Sequence, residues 1–506
     1  MEPTAIEETT PLLSQARCER DGLQQACAAD VAAGFEANDP LNWSWLFKWS
    51  IMALLAFTAC TISFACTSVV PMASRIIEDL DGNDERTSAI VLMVTIWELG
   101  EATGPILIAP LSEVFGRYPL MNIANVCFIL ATLLAALSES TETLIAARAL
   151  TGMAVGTNVL NPAIVGDLLP PDRRGTAMSL ILFAPIVGGA IGPVFGGAVA
   201  ETLGWRAVLW TSVGLACLCE LIFLLYFRET YKPCIMRKQM AKLNQKGVTT
   251  TTRRKSNERG RESHHTLAGL WTSMSRPIVM LFSSVILASL ALFGAITFAY
   301  YYVVIVTLPV ILRTTYEMSP AAIGTAFLAT SFGSLIGFLV CNLSLDRIYV
   351  KLGKRNGGVC LPEYRLPMAI VGAFLMPPSV ALYGWSAHYE LPLSLLLASV
   401  ICICMSFMLS ILPLMSYVVD AYGFYSASAL TGVIITRCLA GAFLPLVSTA
   451  VVERFAYGWG FTLLAGVSLI LALIPFIIFR YGSRWRETSE YTRTLPELRL
   501  VPPTLI

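Results

Sequence analysis

At 506 residues, the chain is long enough for about three soluble domains. Its composition excludes them: 56% of residues are hydrophobic and only 14% charged, against about 25% charged in soluble domains, and the mean hydropathy is +0.67. So few charges cannot wet the surface of so apolar a chain, so its main solvent is lipid. A soluble enzyme, a disulfide-stapled secreted scaffold, a disordered chain and a nucleic-acid binder are all excluded.

The first forty residues are polar and acidic without an apolar stretch, which predicts a tail with no cleavable signal peptide. Within it, Glu8-Thr-Thr-Pro-Leu12-Leu13 fits the acidic dileucine sorting pattern. Nine uncharged stretches then reach the roughly 18 residues a membrane helix needs: 49–74, 118–138, 149–166, 175–200, 277–312, 318–345, 366–389, 391–419 and 455–479. Three more are as apolar but carry charges: 87–112 with Glu98 and Glu101, 207–227 with Glu220, and 421–452 with Arg437. The sum is an all-α membrane protein of twelve transmembrane helices.

Between the sixth and seventh spans lies the basic, polar segment 228–276, read as a cytoplasmic linker. It divides the chain into a tail (1–45), a six-helix half (46–227), the linker, a second half (277–480) and a C-terminal tail (481–506). With both termini inside, the cytoplasmic segments hold 28 Lys and Arg and the external loops 5, a bias that sets the orientation. The sequons at Asn42 and Asn342 then face the cytoplasm and are expected to stay unmodified. The halves echo each other: Pro110-Leu-Ser-Glu113 and Gly116-Arg117 after span 2 correspond to Leu343-Ser-Leu-Asp346-Arg347 after span 8. Such a duplication is the layout of a secondary transporter with its site between the halves.

Several segments now carry a family resemblance. GPILIAPLSEVFGRYPLM (104–121), LIAARALTGMAVG (144–156), GDLLPPDRRGTAMS (166–179) and APIVGGAIGPVFGG (184–197) resemble motifs of the major facilitator superfamily. DPLNWSWLFKW (39–49) and FRET (227–230) resemble its fungal twelve-span drug:proton antiporters. Tyr118 departs from the pattern, standing where a second basic residue is common. The resemblance implies a proton-coupled efflux transporter for drugs, toxins or secondary metabolites, working by alternating access. A polyamine or other organic-cation exporter of the same fold and a non-transporting receptor are the alternatives. The implied partners are a small-molecule substrate, protons and the lipid bilayer, with no nucleic acid and a functional monomer; no cofactor or metal is expected. The plasma membrane is the expected location and the vacuolar membrane the alternative.

The resemblance also implies a charge cluster of Glu113, Arg117, Asp167 and Arg174 at the cytoplasmic ends of spans 2 to 5. It makes the span-5 glycines an antiporter motif: Gly188, Gly192 and Gly196 on one stripe, with Pro193 and Gly197 on the next. The first stripe is expected to meet Gly333 and Gly337 of span 8, since missing side chains allow close helix approach.

A charge near the bilayer centre costs about 2.5–3.5 kcal/mol even on a lenient scale. Glu98, Glu101, Glu220, Arg148 and Arg437 are therefore the candidates for proton coupling or substrate contact, with structural ion pairing as the competing reading. At about 1.5 Å per residue, Glu98 lies roughly 16 Å into span 2 and Arg437 at a similar level in span 11; the resemblance implies that spans 2 and 11 lie side by side, and so that Arg437 pairs with Glu98. Arg148, only about 8 Å into span 4, is expected at the external side of the cavity. Tyr300, Tyr301, Tyr302, Tyr417, Tyr422, Phe424 and Tyr425 read mostly as interfacial anchors. No catalytic set is visible: of the three His, His264 and His265 lie in the linker and His388 at the very end of its span, and no GxxxxGK[ST] loop occurs, so the chain is not expected to be an enzyme or an ATP-driven pump.

Overall fold

A computed structural model describes residues 39–82, 87–169, 174–245, 267–358 and 360–488. The dileucine pattern and most of the basic linker lie outside the described residues, as do the side chains of Glu113, Arg174 and Phe424. The helices, in chain order, are α1 (Trp45–Thr67), α2 (Ala73–Asp81), α3 (Thr87–Phe115), α4 (Arg117–Ala136), α5 (Thr141–Val155), α6 (Asn161–Leu168), α7 (Arg174–Leu203) and α8 (Trp205–Tyr226). After them come α9 (Lys232–Gln245), α10 (Leu267–Ser283), α11 (Val285–Thr314), α12 (Pro320–Ala326), α13 (Leu328–Arg355), α14 (Pro367–His388), α15 (Leu393–Tyr422), α16 (Ser426–Leu471) and α17 (Leu473–Thr488).

Among the described residues, ten helical segments are long and apolar enough to cross a membrane. Two departures from regular helix reconcile ten with the twelve expected spans. Helix α16 has 46 residues, about 69 Å, more than twice a hydrocarbon core of about 30 Å. It is interrupted at Ala456, whose φ of 58° and ψ of 169° are not helical, so it holds spans 11 and 12. Span 4 is instead broken, α5 passing through the 3-10 turn Gly156–Leu160 into α6. Neither piece reaches spanning length alone. Span 7 starts later than the expected 277: Ser284 leaves helical geometry, accepts a hydrogen bond from the Leu287 N–H and caps α11.

Packing repeats between the halves. In the first, α1 lies against α7 and α8, α3 against α5, and α4 against α5 and α8; in the second, α11 lies against α16, α13 against α15, and α14 against α15 and α16. Span 1 on 5, 2 on 4, 3 on 4 and 3 on 6 thus correspond to 7 on 11, 8 on 10, 9 on 10 and 9 on 12. The halves meet through α3 on α16 and α7 on α12.

Backbone approach at glycine decides these contacts. A Cβ on Gly100 would sit 2.2 Å from the Ala149 carbonyl oxygen, and one on Gly152 would sit 2.1 Å from that of Trp97. Gly104 and Gly156 face each other equally closely. The α3 face carrying Trp97, Gly100 and Gly104 is therefore committed to α5. Glu98 and Glu101, one turn apart on a neighbouring face, are turned towards the other half.

The span-5 stripe departs from expectation. A Cβ on Gly188 would meet the Cys60 carbonyl oxygen at 2.2 Å, on Gly192 the Thr67 hydroxyl at 2.5 Å, and on Gly196 the Ser68 carbonyl oxygen at 2.0 Å. This stripe packs on α1 inside its own half and not on span 8. The next stripe crosses the boundary: a Cβ on Gly197 would meet the Pro320 carbonyl oxygen at 2.3 Å, and one on Gly324 that of Pro193 at 2.3 Å. Adjacent helical residues point about 100° apart, so a one-residue change of stripe redirects the contact. Gly333 and Gly337 face α15, against Ile401 and Met405.

Candidate functional site

At mid-height between the halves, α3, α11 and α16 bring together Glu98, Glu101, Tyr302 and Arg437. Glu98 is only 3% exposed. The Tyr302 hydroxyl donates to its Oε1, whereas its Oε2 is buried without a hydrogen-bond partner. Arg437 Nη2 lies 3.5 Å from Glu101 Oε1, so the expected partner of Glu98 pairs with the acid one turn along. The Arg437 guanidinium also sits 4.4 Å from the Phe298 ring centroid, a cation–π placement.

The surrounding elements position these groups by packing. Gly441 on α16 makes room: a Cβ there would lie 2.8 Å from the Phe298 ring and 3.5 Å from Glu98 Cγ. Phe298 lies 5.0 Å from Tyr302 and 5.7 Å from Phe407, and Tyr301 stacks on Phe407 at 5.1 Å. The Thr95 hydroxyl, one turn before Glu98, donates to the Ala442 carbonyl across the boundary at 3.1 Å. The result is a seam of two carboxylates, one buried and one partly exposed, with one guanidinium, one phenol and an aromatic wall. Removed from bulk water, the Glu98 carboxylate is sensitive to every nearby charge and donor.

Tyr302 and Gly441 were not read from the sequence as site residues. Three consecutive tyrosines resemble an interfacial girdle, but Tyr300 and Tyr302 are buried at mid-span, and Tyr417 and Tyr422 are buried too. Tyr300 donates to the Leu464 carbonyl oxygen at 2.6 Å, and the Tyr422 and Ser284 hydroxyls share a hydrogen bond of 2.6 Å. The clue available in the sequence was position, since span 7 is continuous through 300–302.

Two candidate charges lie elsewhere. Arg148 donates to the carbonyl oxygens of Ala65, Cys66 and Met93 at 3.1, 2.9 and 3.4 Å, and stands 5.0 Å from the Trp97 ring centroid. It satisfies the otherwise unpaired carbonyls at the C-terminal end of α1, where the helix dipole favours a cation. It thereby joins α1, α3 and α5. Glu220 accepts from Asn125 Nδ2 at 2.8 Å within the first half.

Where the linker leaves the first half, Arg117 pairs with Asp167 at 2.8 Å, which joins α4 to α6, and lies 5.5 Å from the Tyr231 ring centroid. Glu229, seen in the sequence only as part of FRET, accepts from the N–H groups of Arg117 and Tyr118 at 3.0 and 3.3 Å and of Tyr231 at 3.0 Å. Gly116, with φ 96° and ψ 165°, turns those amides towards Glu229 in a conformation open mainly to glycine. Tyr118 stacks on Phe227 instead of adding a charge. The second half has its counterpart in Arg365, paired with Asp346 at 2.5 Å and Asp420 at 2.9 Å and lying 4.3 Å from the Tyr349 ring centroid.

At the far end, away from the linker, the halves are tied to each other. Arg313 on α11 pairs with Glu78 on α2 at 2.5 Å, and Glu201 on α7 accepts from the Ala321 N–H on α12 at 3.1 Å.

Residues 55–443 match the model of the Major Facilitator Superfamily. The chain belongs to that family, and is a multi-pass membrane transporter rather than an enzyme. Among its relatives, the efflux pump radE of Floropilus chiversii is 31% identical over 90% of this chain and 84% of its own. The MFS-type transporter hepF of Aspergillus oryzae is 30% identical over 92% of this chain and 94% of its own. Among solved structures, a D-xylose–proton symporter shares the fold at a TM-score of 0.65 and 16% identity, over 86% of this chain and 98% of its own.

Proposed function

We propose that this transporter exports small organic compounds in exchange for protons, by alternating access between its two six-helix halves. The observation that carries this reading is Glu98: a buried carboxylate at the boundary of the halves, bonded by a tyrosine of the opposite half, one turn from a carboxylate facing an arginine. Opening the boundary would separate Tyr302 and Arg437 from the two acids and alter their hold on a proton. The fungal relatives named as efflux pump and MFS-type transporters support export. The substrates are drugs, toxins or secondary metabolites. The acids and the aromatic wall of Phe298, Tyr301 and Phe407 also favour the second reading, an organic cation such as a polyamine.

The protein acts as a monomer in the plasma membrane with both termini cytoplasmic, the vacuolar membrane being the alternative. In this orientation the linker end faces the cytoplasm and the tied far end faces outside. A screen of toxic compounds on cells with and without the protein supplies a substrate for sealed vesicles. There, Glu98→Gln is expected to abolish accumulation driven by a pH gradient while downhill exchange continues. Gradient-driven accumulation at the original level would eliminate Glu98 as the coupling acid.

A further inference from the structure

The seam holds one more reactive group. Cys438, fully buried on α16 and next in sequence to Arg437, has its sulfur grouped with carboxylate oxygens of Glu98 and Glu101, all within 4.8 Å of one another. Glu98 Oε2 is buried without a hydrogen-bond partner, and the Glu98 carboxylate stands within interaction range of the Cys438 thiol. Two carboxylates and a thiol form a three-ligand set with one position left over, the donor types that tetrahedral zinc and softer ions accept. In such a site the ligand atoms stand about 3.4–3.7 Å apart, so side-chain motion of about an ångström suffices. We propose that Glu98, Glu101 and Cys438 form a binding site for a thiophilic divalent cation, of the Zn²⁺ or Cd²⁺ class, that bridges the two halves.

Glu98 and Glu101 belong to α3 and Cys438 to α16, so one ion would join the halves through bonds that alternating access must break. Occupancy therefore stabilises the state in which α3 and α16 are in contact, and inhibits transport. Binding releases the Cys438 thiol proton to water, because the ligand is the thiolate. Arg437 opposes the ion by its charge and also interacts with the Cys438 side chain, but its hold on Glu101 is one contact of 3.5 Å. Its displacement sets the affinity, and its removal should strengthen binding. The site shares residues with the proposed proton path, yet its test reads metal binding without transport, so either idea can fail alone.

Purified full-length protein titrated with Co²⁺ should show a thiolate-to-cobalt charge-transfer band, removed by added Cd²⁺. Cys438→Ser should lack the band, and Glu98→Gln, which removes a ligand, should weaken binding by at least about 10-fold, the lower end of what losing a ligand's outer-shell partner costs. Arg437→Gln should bind more tightly than the unaltered protein. A band that survives in Cys438→Ser would overturn the site, placing the metal on another thiol such as exposed Cys127, Cys217 or Cys360. Should Cys438→Ser fail to fold, the unaltered protein decides. Cd²⁺ must then slow alkylation of Cys438 while leaving Cys127 unaffected, and equal modification of Cys438 with and without Cd²⁺ overturns the proposal.

Discussion

Single side chains settle two questions that charge counting opens. The cost of burying a charge singles out Glu98, Glu101, Glu220, Arg148 and Arg437 as residues needing an explanation. It cannot supply the partner, because half a helical turn decides whether a charge meets a carboxylate, a row of carbonyls or an amide. Arg148 found carbonyls, Glu220 an amide, and Arg437 the second of two candidate acids. Glu229 shows the opposite case, an acid without intramembrane position whose role is local. Its carboxylate accepts from three backbone N–H groups, two of them in the first turn of α4, where a negative charge also complements the helix dipole. Glu229→Ala should therefore destabilise the protein by about 1–3 kcal/mol, lowering the melting temperature in detergent. Glu229→Gln, which keeps an acceptor but loses the charge, should recover part of the loss. An unchanged melting temperature in Glu229→Ala would show that water replaces the carboxylate without cost.

At the level of elements, the spans were legible because twelve apolar stretches separated by charge clusters have one simple reading in lipid. The interruption within span 4, at Gly156 and Pro162, was not, whereas Glu453 and Arg454 already marked the one between spans 11 and 12, beside the turn at Ala456. The span-5 glycines show a subtler limit: spacing identifies a stripe without saying which neighbour it faces. That difference is open to experiment. Gly196 faces the Ser68 carbonyl in its own half, so Gly196→Leu should disrupt the α1–α7 contact and lower folded yield. Gly197 faces the Pro320 carbonyl of the other half. Gly197→Leu should leave the first half folded but wedge the far end apart. Folded yield by fluorescence gel filtration should fall severalfold for Gly196→Leu and much less for Gly197→Leu. Equal losses would mean that the two stripes do not divide these contacts.

For the whole molecule, the ion pairs differ between the two ends of the bundle. Near the linker, Arg117–Asp167, Arg365 with Asp346 and Asp420, and Arg486–Glu363 each join elements of one half. They stiffen the halves as separate bodies. At the far end, Glu78–Arg313 and the Glu201 contact to Ala321 join one half to the other, and must part before that end opens. Glu78 and Arg313 are both partly exposed, so their pair contributes about 0.2–1 kcal/mol to closure, at most a shift of roughly fivefold between closed and open states. Glu78→Lys adds repulsion to that loss. A cysteine introduced at Ser74, beside Arg313 in the same far-end cleft, should then react with a membrane-impermeant maleimide about two- to fivefold faster. The double exchange Glu78→Lys with Arg313→Glu restores attraction in reverse and should return the rate towards its starting value. If both variants react at the original rate, the pair does not hold the far end shut, and closure rests on the Gly197–Pro320 and Pro193–Gly324 backbone contacts instead.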